Sequence, residues 1–361
     1  MNTDLKLAKE LVSVPGDTIQ ETIAAMGMRQ NELAERMGKP ESKINDIIKG
    51  KEPITVNTAL LLERVLGIPA NFWLAREANY REELARIDQH QELQNLLEWA
   101  KLFPLSELRK RGYIRTKAIT SELVAELLAF FGVASNNEWN KIYIEEKLTV
   151  AFRASLVRTP NPYAVSAWLR MGELQSKSVN AKEYNIAGFK QSLFCLRTLA
   201  KEQPDDFLEQ LQEICAEQGV ACVFTPSISN ARICGATRWF SNKPLIQLSD
   251  RYKTNDHFWF AFFHEAAHIL KHPRKEIFLE ELDGTESDKE KEREADEFAS
   301  KQLFSDKLIA GILKDKVSEA MILNIAQKAD IHPAFVVGRL QRYGKLNYGL
   351  FNKMKVPISF K

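Results

Sequence analysis

The stretch Phe258-Trp259-Phe260-Ala261-Phe262-Phe263-His264-Glu265-Ala266-Ala267-His268-Ile269-Leu270 decides how this chain is read. Its apolar density and length predict a buried helix. On a helix, positions i and i+4 share a face, so His264 and His268 can converge on one cation. Glu265 stands beside them, where a carboxylate can act as a base on a water held at that cation. Zinc suits such nitrogen ligands. Chance would place an H-[DE]-x-x-H pattern in roughly one per cent of chains of this composition. The plain alternative is a pair of histidines satisfied inside a core helix.

A third ligand would separate the two readings. Downstream lies Glu292-Arg293-Glu294-Ala295-Asp296-Glu297-Phe298-Ala299, also helical in pattern. Glu292 and Asp296 are again i and i+4. Glu292 is the expected third ligand, with Asp296 holding the far nitrogen of a ligand histidine. Glu294 is the rival ligand, though it lies off the face shared by Glu292 and Asp296. Two histidines, a glutamate and an open position describe a catalytic site rather than a structural one.

Working outward, three short segments rich in β-formers precede this helix, at 220–224, 232–236 and 245–248, bounded by Pro226, Asn230, Asn242 and Pro244. Residues 81–218 read as helical. Segments 92–103 and 122–131 each carry one apolar face, and Trp139, Trp168, Phe130 and Phe131 read as core. At the front, Leu33, Ala34 and Met37 mark one short helix and Ile44, Ile47 and Ile48 another. Gly38 lies between them, a helix-turn-helix arrangement. Thr55 should cap a further helix to Leu66, and Pro69 should begin a last short one. The fold expected is α+β and mostly helical. Residues 1–80 form an all-α helix-turn-helix domain, 81–160 a helical linker region, and 161–361 the metal-binding domain with its small sheet.

Composition limits the function classes. Fifty Lys+Arg against 48 Asp+Glu leave a formal charge of +2, so any DNA contact must come from a local patch. Residues 1–80 hold ten Lys+Arg and eleven Asp+Glu, net −1, but 39–51 holds four lysines against Glu41 and Asp46. There Ser42, Lys43 and Asn45 can reach base edges, and Lys39, Lys49 and Lys51 can hold phosphates. One short reading helix covers only a half-site, so a homodimer on operator DNA is expected. No apolar run approaches membrane-helix length, and the N-terminus lacks a signal-peptide pattern. Cys195, Cys215, Cys222 and Cys234 form no C-x-x-C pair and read as reduced thiols of a cytoplasmic protein. His257 and Tyr252 are candidates to stabilise an oxyanion. His272, next to Pro273, should be exposed, and His332 is given no role.

The paired motifs His264-Glu-x-x-His268 and Glu292-x-x-Ala-Asp296-x-Phe-Ala, with the strands before them, resemble the ImmA/IrrE family of metallopeptidases. That resemblance covers about residues 160–345. It implies a small zincin-like fold with a gluzincin-type zinc site. It also implies an edge strand carrying Gly235 and Ala236 that pairs with an extended substrate. Residues 15–76 are similar to HigA-type antitoxins of the Cro/repressor superfamily, although Lys39-Pro40-Glu41-Ser42-Lys43 replaces the usual Ser cap of the reading helix. Together the resemblances imply a DNA-binding regulator fused to a zinc endopeptidase that cuts a repressor or antitoxin. The alternative is an antitoxin or regulator whose zinc domain senses a ligand or stress without turnover.

Overall fold

The computed structural model describes residues 8–146, 161–240, 242–272, 278–279, 286–304 and 317–360. The chain divides into two compact units, Met1–Ala100 with Thr116–Ala125, and Lys101–Arg115 with Glu126–Lys361. The fold is α+β and mostly helical.

In the first unit α1 (Pro15–Ala25), α2 (Gln30–Met37), α3 (Glu41–Ile48) and α4 (Val56–Leu66) surround one apolar core. Ile19, Leu33, Ile44, Leu62 and Trp73 are its largest fully buried side chains. Gly38 ends α2 at φ 60°, a left-handed conformation that glycine adopts without Cβ strain. The chain thereby reverses within Gly38, Lys39 and Pro40 and starts α3. Thr55 caps α4 by accepting the Thr58 amide. The helix after Pro69 is not short. Helix α5 (Ala70–Gln94) continues for 25 residues. Glycine and proline are absent from its interior, and Glu77–Arg81 and Glu82–Arg86 are i,i+4 ion pairs that support it.

The expected single helix over 92–103 is interrupted. Helix α5 stops at Gln94, and a one-turn α6 (Leu97–Ala100) follows. Leu93, Leu96, Leu97 and Ala100 keep helical spacing across the break, so apolar spacing alone merges the two.

The second unit carries α7 (Leu105–Lys110), α9 (Asn136–Trp139) with a π-helical turn (Asn140–Glu146), and then α10 (Pro162–Ser176), α11 (Ile186–Glu202) and α12 (Phe207–Glu217). Of helix α8 (Ser121–Phe131), residues 121–125 belong to the first unit and 126–131 to the second. A sheet follows in the order β1-β3-β2-β4: β1 (Ala221–Phe224), β2 (Gly235–Phe240), β3 (Lys243–Leu248) and β4 (Phe278–Leu279). Strand β1 runs parallel to β3, while β2 is antiparallel to both β3 and β4.

Two expectations change here. The middle strand begins at Gly235, not Arg232, and extends through Thr237, Arg238, Trp239 and Phe240. A buried arginine does not look like strand sequence, but Arg238 Nη2 donates to the Leu169 carbonyl and to Gln247 Oε1, at 2.8 and 2.7 Å. In addition, β2 is not an edge along Ala236 and Thr237, because β4 pairs with both. The two residues Phe278 and Leu279 are too short a signal to read as a strand.

Helices α13 (Asn255–Lys271), α14 (Glu286–Leu303), α15 (Glu319–Ala329) and α16 (Pro333–Arg342) complete the unit. Trp259, Phe262, Phe263 and Ala266 of α13 sit in the main core with Ile246, Leu248 and Val336. Burying several such side chains, at about 1.5–3 kcal/mol each, anchors α13 against the sheet. His264, Glu265 and His268 are thereby held inside the protein.

Candidate metal centre

His264 and Glu265 are neighbours on α13 with His268 one turn further on, and the three are 2, 0 and 1 % exposed. Their helix is long and apolar enough to bury three polar groups without unfolding. The Nε2 atoms of His264 and His268 stand 3.0 Å apart. Glu292, reaching across from α14, places Oε2 3.0 Å from His264 Nε2 and Oε1 3.4 Å from His268 Nε2. Two ligands about 2.05 Å from one cation at a tetrahedral angle would be about 3.3 Å apart. The three side chains therefore fit one small tetrahedral cation.

The far nitrogens support the same orientation. His264 Nδ1 lies 3.0 Å from Asp296 Oδ1, and Arg342 donates to Asp296 Oδ2 at 2.5 Å. With Nδ1 donating to that carboxylate, His264 presents an Nε2 lone pair toward Glu292. Burial works to raise the Asp296 pKa, but the hydrogen bond from His264 and the charge of Arg342 outweigh it and hold the carboxyl below its ordinary value. Burial, then the neighbouring His264 and His272, push His268 far below the ordinary imidazole range. It is therefore neutral near pH 7, the state in which imidazole binds a metal.

Glu265 is aimed by the sheet. Thr237 Oγ1 donates to Glu265 Oε2 at 2.6 Å, and Gly235 lies flat against the same carboxylate. A Cβ at Gly235 would stand 2.6 Å from Glu265 Oε1. Gly235 is thus needed for close approach of the helix carboxylate to β2.

A cavity of about 600 Å³ opens at this centre, lined by His264, Glu292, Tyr252, His257, Arg342 and Tyr348, among others. Tyr252 and His257 stack on one wall with ring centroids 4.5 Å apart. Asp256, also on the lining, is paired with Lys355 at 2.6 Å.

The rival ligand goes elsewhere. Glu294 Oε2 lies 3.2 Å from His272 Nε2, and the triad groups Glu292, not Glu294, with the two histidines. His272 is not exposed as expected: its side chain is 4 % accessible, because the ring folds back until its Nδ1 is 2.8 Å from His268 Nδ1. Burial lowers its pKa, outweighing the opposing influence of Glu294. His332 caps α16, with Nδ1 accepting the Ala334 amide at 3.1 Å.

The residues proposed for DNA lie on or beside α3. Ser42, Lys49 and Lys51 are exposed, and Lys39, Lys43 and Asn45 are half-buried. Lys43 is ion-paired with Glu52, which occupies its ammonium group. Gly235 and Ala236 pair with Leu248 and Gln247 on one side, and Ala236 with Leu279 on the other.

Sequence reasoning missed Thr237, Arg342 and His272. Nothing in spacing ties Thr237 or Arg342 to α13. His272 did carry a signal, being i+4 from His268, and Pro273 drew attention away from it.

The fold and site together define a class: a helix-turn-helix domain joined to a metallopeptidase-type domain with an H-E-x-x-H helix. Residues 19–73 match the family described as "Helix-turn-helix", and residues 215–341 match the "IrrE N-terminal-like domain". The two matches together are those of an ImmA/IrrE family protein that carries an N-terminal helix-turn-helix. It is also similar to virulence-associated protein I of Dichelobacter nodosus, with 33 % identity over 76 residues, which span 21 % of this chain and 70 % of that protein. Among the described residues no helix is long and apolar enough to cross a membrane.

Proposed function

We propose that this protein is a cytoplasmic transcription regulator of HigA-type helix-turn-helix architecture, fused to a zinc endopeptidase that cleaves a repressor or antitoxin. The observation that carries the enzyme half is the convergence of His264, His268 and Glu292 beside a base, Glu265, that Thr237 and Gly235 hold in place. A purely structural zinc site has no use for that base.

When bound, zinc would polarise the scissile carbonyl and bring the pKa of a water down to about 7. His264, His268 and Glu292 would hold the ion, and Asp296 orients His264. Glu265 takes the proton from the attacking water and returns it to the departing amine, work that typically contributes 10²–10⁴-fold in rate. Tyr252 and His257, which line the cavity, donate to the carbonyl oxygen as charge develops on it. An extended substrate aligns on β2 at Gly235, main chain to main chain, just before Ala236 and Thr237, which β4 pairs. In the first unit, Ser42, Lys43 and Asn45 of α3 read operator bases, while Lys39, Lys49 and Lys51 hold phosphates. Two copies bind two half-sites.

The test compares new protein N-termini in cells producing wild type, Glu265→Gln or His264→Ala, together with activity of the regulated promoter. The proposal expects fragments of a repressor or antitoxin with wild type alone. If no such fragments appear, and the promoter responds normally in Glu265→Gln but not in His264→Ala, the domain is a metal-dependent sensor without turnover.

A further inference from the structure

The metal reading leaves one polar chain at the end of α13 unused. It runs from His268 Nδ1 to His272 Nδ1 at 2.8 Å, and from His272 Nε2 to Glu294 Oε2 at 3.2 Å. We propose that His272 is a positioning residue for the metal centre: its Nδ1 accepts a hydrogen bond from His268 Nδ1–H, its Nε2–H anchors on Glu294, and it so keeps the Nε2 lone pair of His268 directed at the metal. This rests on the zinc reading above.

The direction of the chain follows from which atoms can donate. A carboxylate is an acceptor only, so His272 must place a proton on Nε2 to bond Glu294. A neutral His272 then has a bare Nδ1, which can only accept. The proton between the two Nδ1 atoms therefore belongs to His268. A neutral His268 with its proton on Nδ1 has its lone pair on Nε2, 3.0 Å from the Nε2 of His264 and 3.4 Å from Glu292. In the reverse arrangement, His272 would donate from Nδ1 and turn a lone pair toward the Glu294 oxygen. His268 would then carry its proton on Nε2, where the metal belongs.

The same logic operates on the other ligand. Asp296 accepts from His264 Nδ1 and is itself held by Arg342. Glu292, Glu294 and Asp296 thus take three distinct parts from one helix: ligand, anchor of the His268 chain, and anchor of His264. His272 is the better placed half of its chain, with a side chain 4 % accessible against 48 % for Glu294. Its accepting nitrogen should matter more than the carboxylate behind it, since water can replace an exposed anchor.

The test uses full-length protein and zinc itself, with affinity measured by competition against a chromophoric chelator. Loss of such an outer partner typically weakens a metal site 10–100-fold. His272→Leu, which removes the acceptor, should lose affinity by about that factor. His272→Asn places Oδ1 where Nδ1 stood and should retain most of it. In zinc-loaded wild type, nitrogen-15 spectra should show a slowly exchanging proton on His268 Nδ1, coupled through the hydrogen bond to His272 Nδ1. In His272→Asn that proton should persist without the coupling. Unchanged zinc affinity in His272→Leu, or equal losses in both variants, would overturn the proposal while leaving the zinc reading intact. So would a wild-type spectrum without the coupling, which decides the matter even if His272→Leu does not fold. A wild-type protein that binds no zinc would overturn both.

Discussion

Substituting Gly235 by alanine tests whether Glu265 is held where hydrolysis needs it. The added Cβ would stand 2.6 Å from Glu265 Oε1 and 2.8 Å from its Cγ. Ordinary contact begins at about 3.5 Å, so Oε1 of the carboxylate must retreat by about 0.9 Å or the strand must yield. Its other oxygen is tied to Thr237, two residues along the same strand, at 2.6 Å. Retreat therefore stretches that bond as well. Overpacking of this kind costs about 1–3 kcal/mol, and misplacing a reacting group by about 1 Å can cost 10²-fold in rate. Gly235 is not in the left-handed region, so the steric effect stands alone. Neither histidine nor Glu292 is displaced directly. Gly235→Ala should stay folded and keep its zinc while cleavage of a peptide library, read by mass spectrometry, falls by about 10²-fold. Wild-type cleavage by a folded Gly235→Ala protein would refute the reasoning.

Three further outcomes are expected. Glu292→Ala should lose bound zinc and Glu294→Ala should keep most of it, because only Glu292 reaches both Nε2 atoms; metal analysis of the purified variants decides. Lys49→Ala with Lys51→Ala should weaken binding to promoter DNA and flatten the salt dependence by a slope of about 1.8, the value for two phosphate contacts; an unchanged slope in a retardation series places the contacts elsewhere. In metal-free protein the folded pKa of His268 is depressed, so below about 6.5 the unfolded chain binds a proton that the native site refuses. Stability should hold above that pH and fall below it, by up to about 1.4 kcal/mol per pH unit for this group; denaturant unfolding of metal-free protein at several pH values checks the sign.

What the sequence made legible is what periodicity carries. His264, Glu265 and His268 lie within one apolar helix, and Glu292 and Asp296 share a face of another, so local geometry predicts their grouping. The helix-turn-helix was equally readable because Gly38 and the isoleucines of α3 sit at positions that only one local arrangement satisfies. Long-range pairing was not legible. Thr237 meets Glu265 only after β2 is laid against α13, and Arg342 meets Asp296 across 46 residues. Strand β2 was ended too early because its charged residue, Arg238, is buried and held by the Leu169 carbonyl and Gln247, 69 and 9 residues away. The length of α5 escaped because nothing local ends a helix at Tyr80, and local signals were all that marked the boundary.

The central claim is that Glu265 performs chemistry at a zinc held by His264, His268 and Glu292. The most direct measurement pairs zinc content with peptide-library hydrolysis in purified full-length Glu265→Gln beside wild type. Gln preserves size and leaves the three ligands in place, so the account predicts one zinc per chain in both proteins and a 10²–10⁴-fold loss of hydrolysis in the variant. Equal hydrolysis by wild type and a zinc-loaded Glu265→Gln would contradict it.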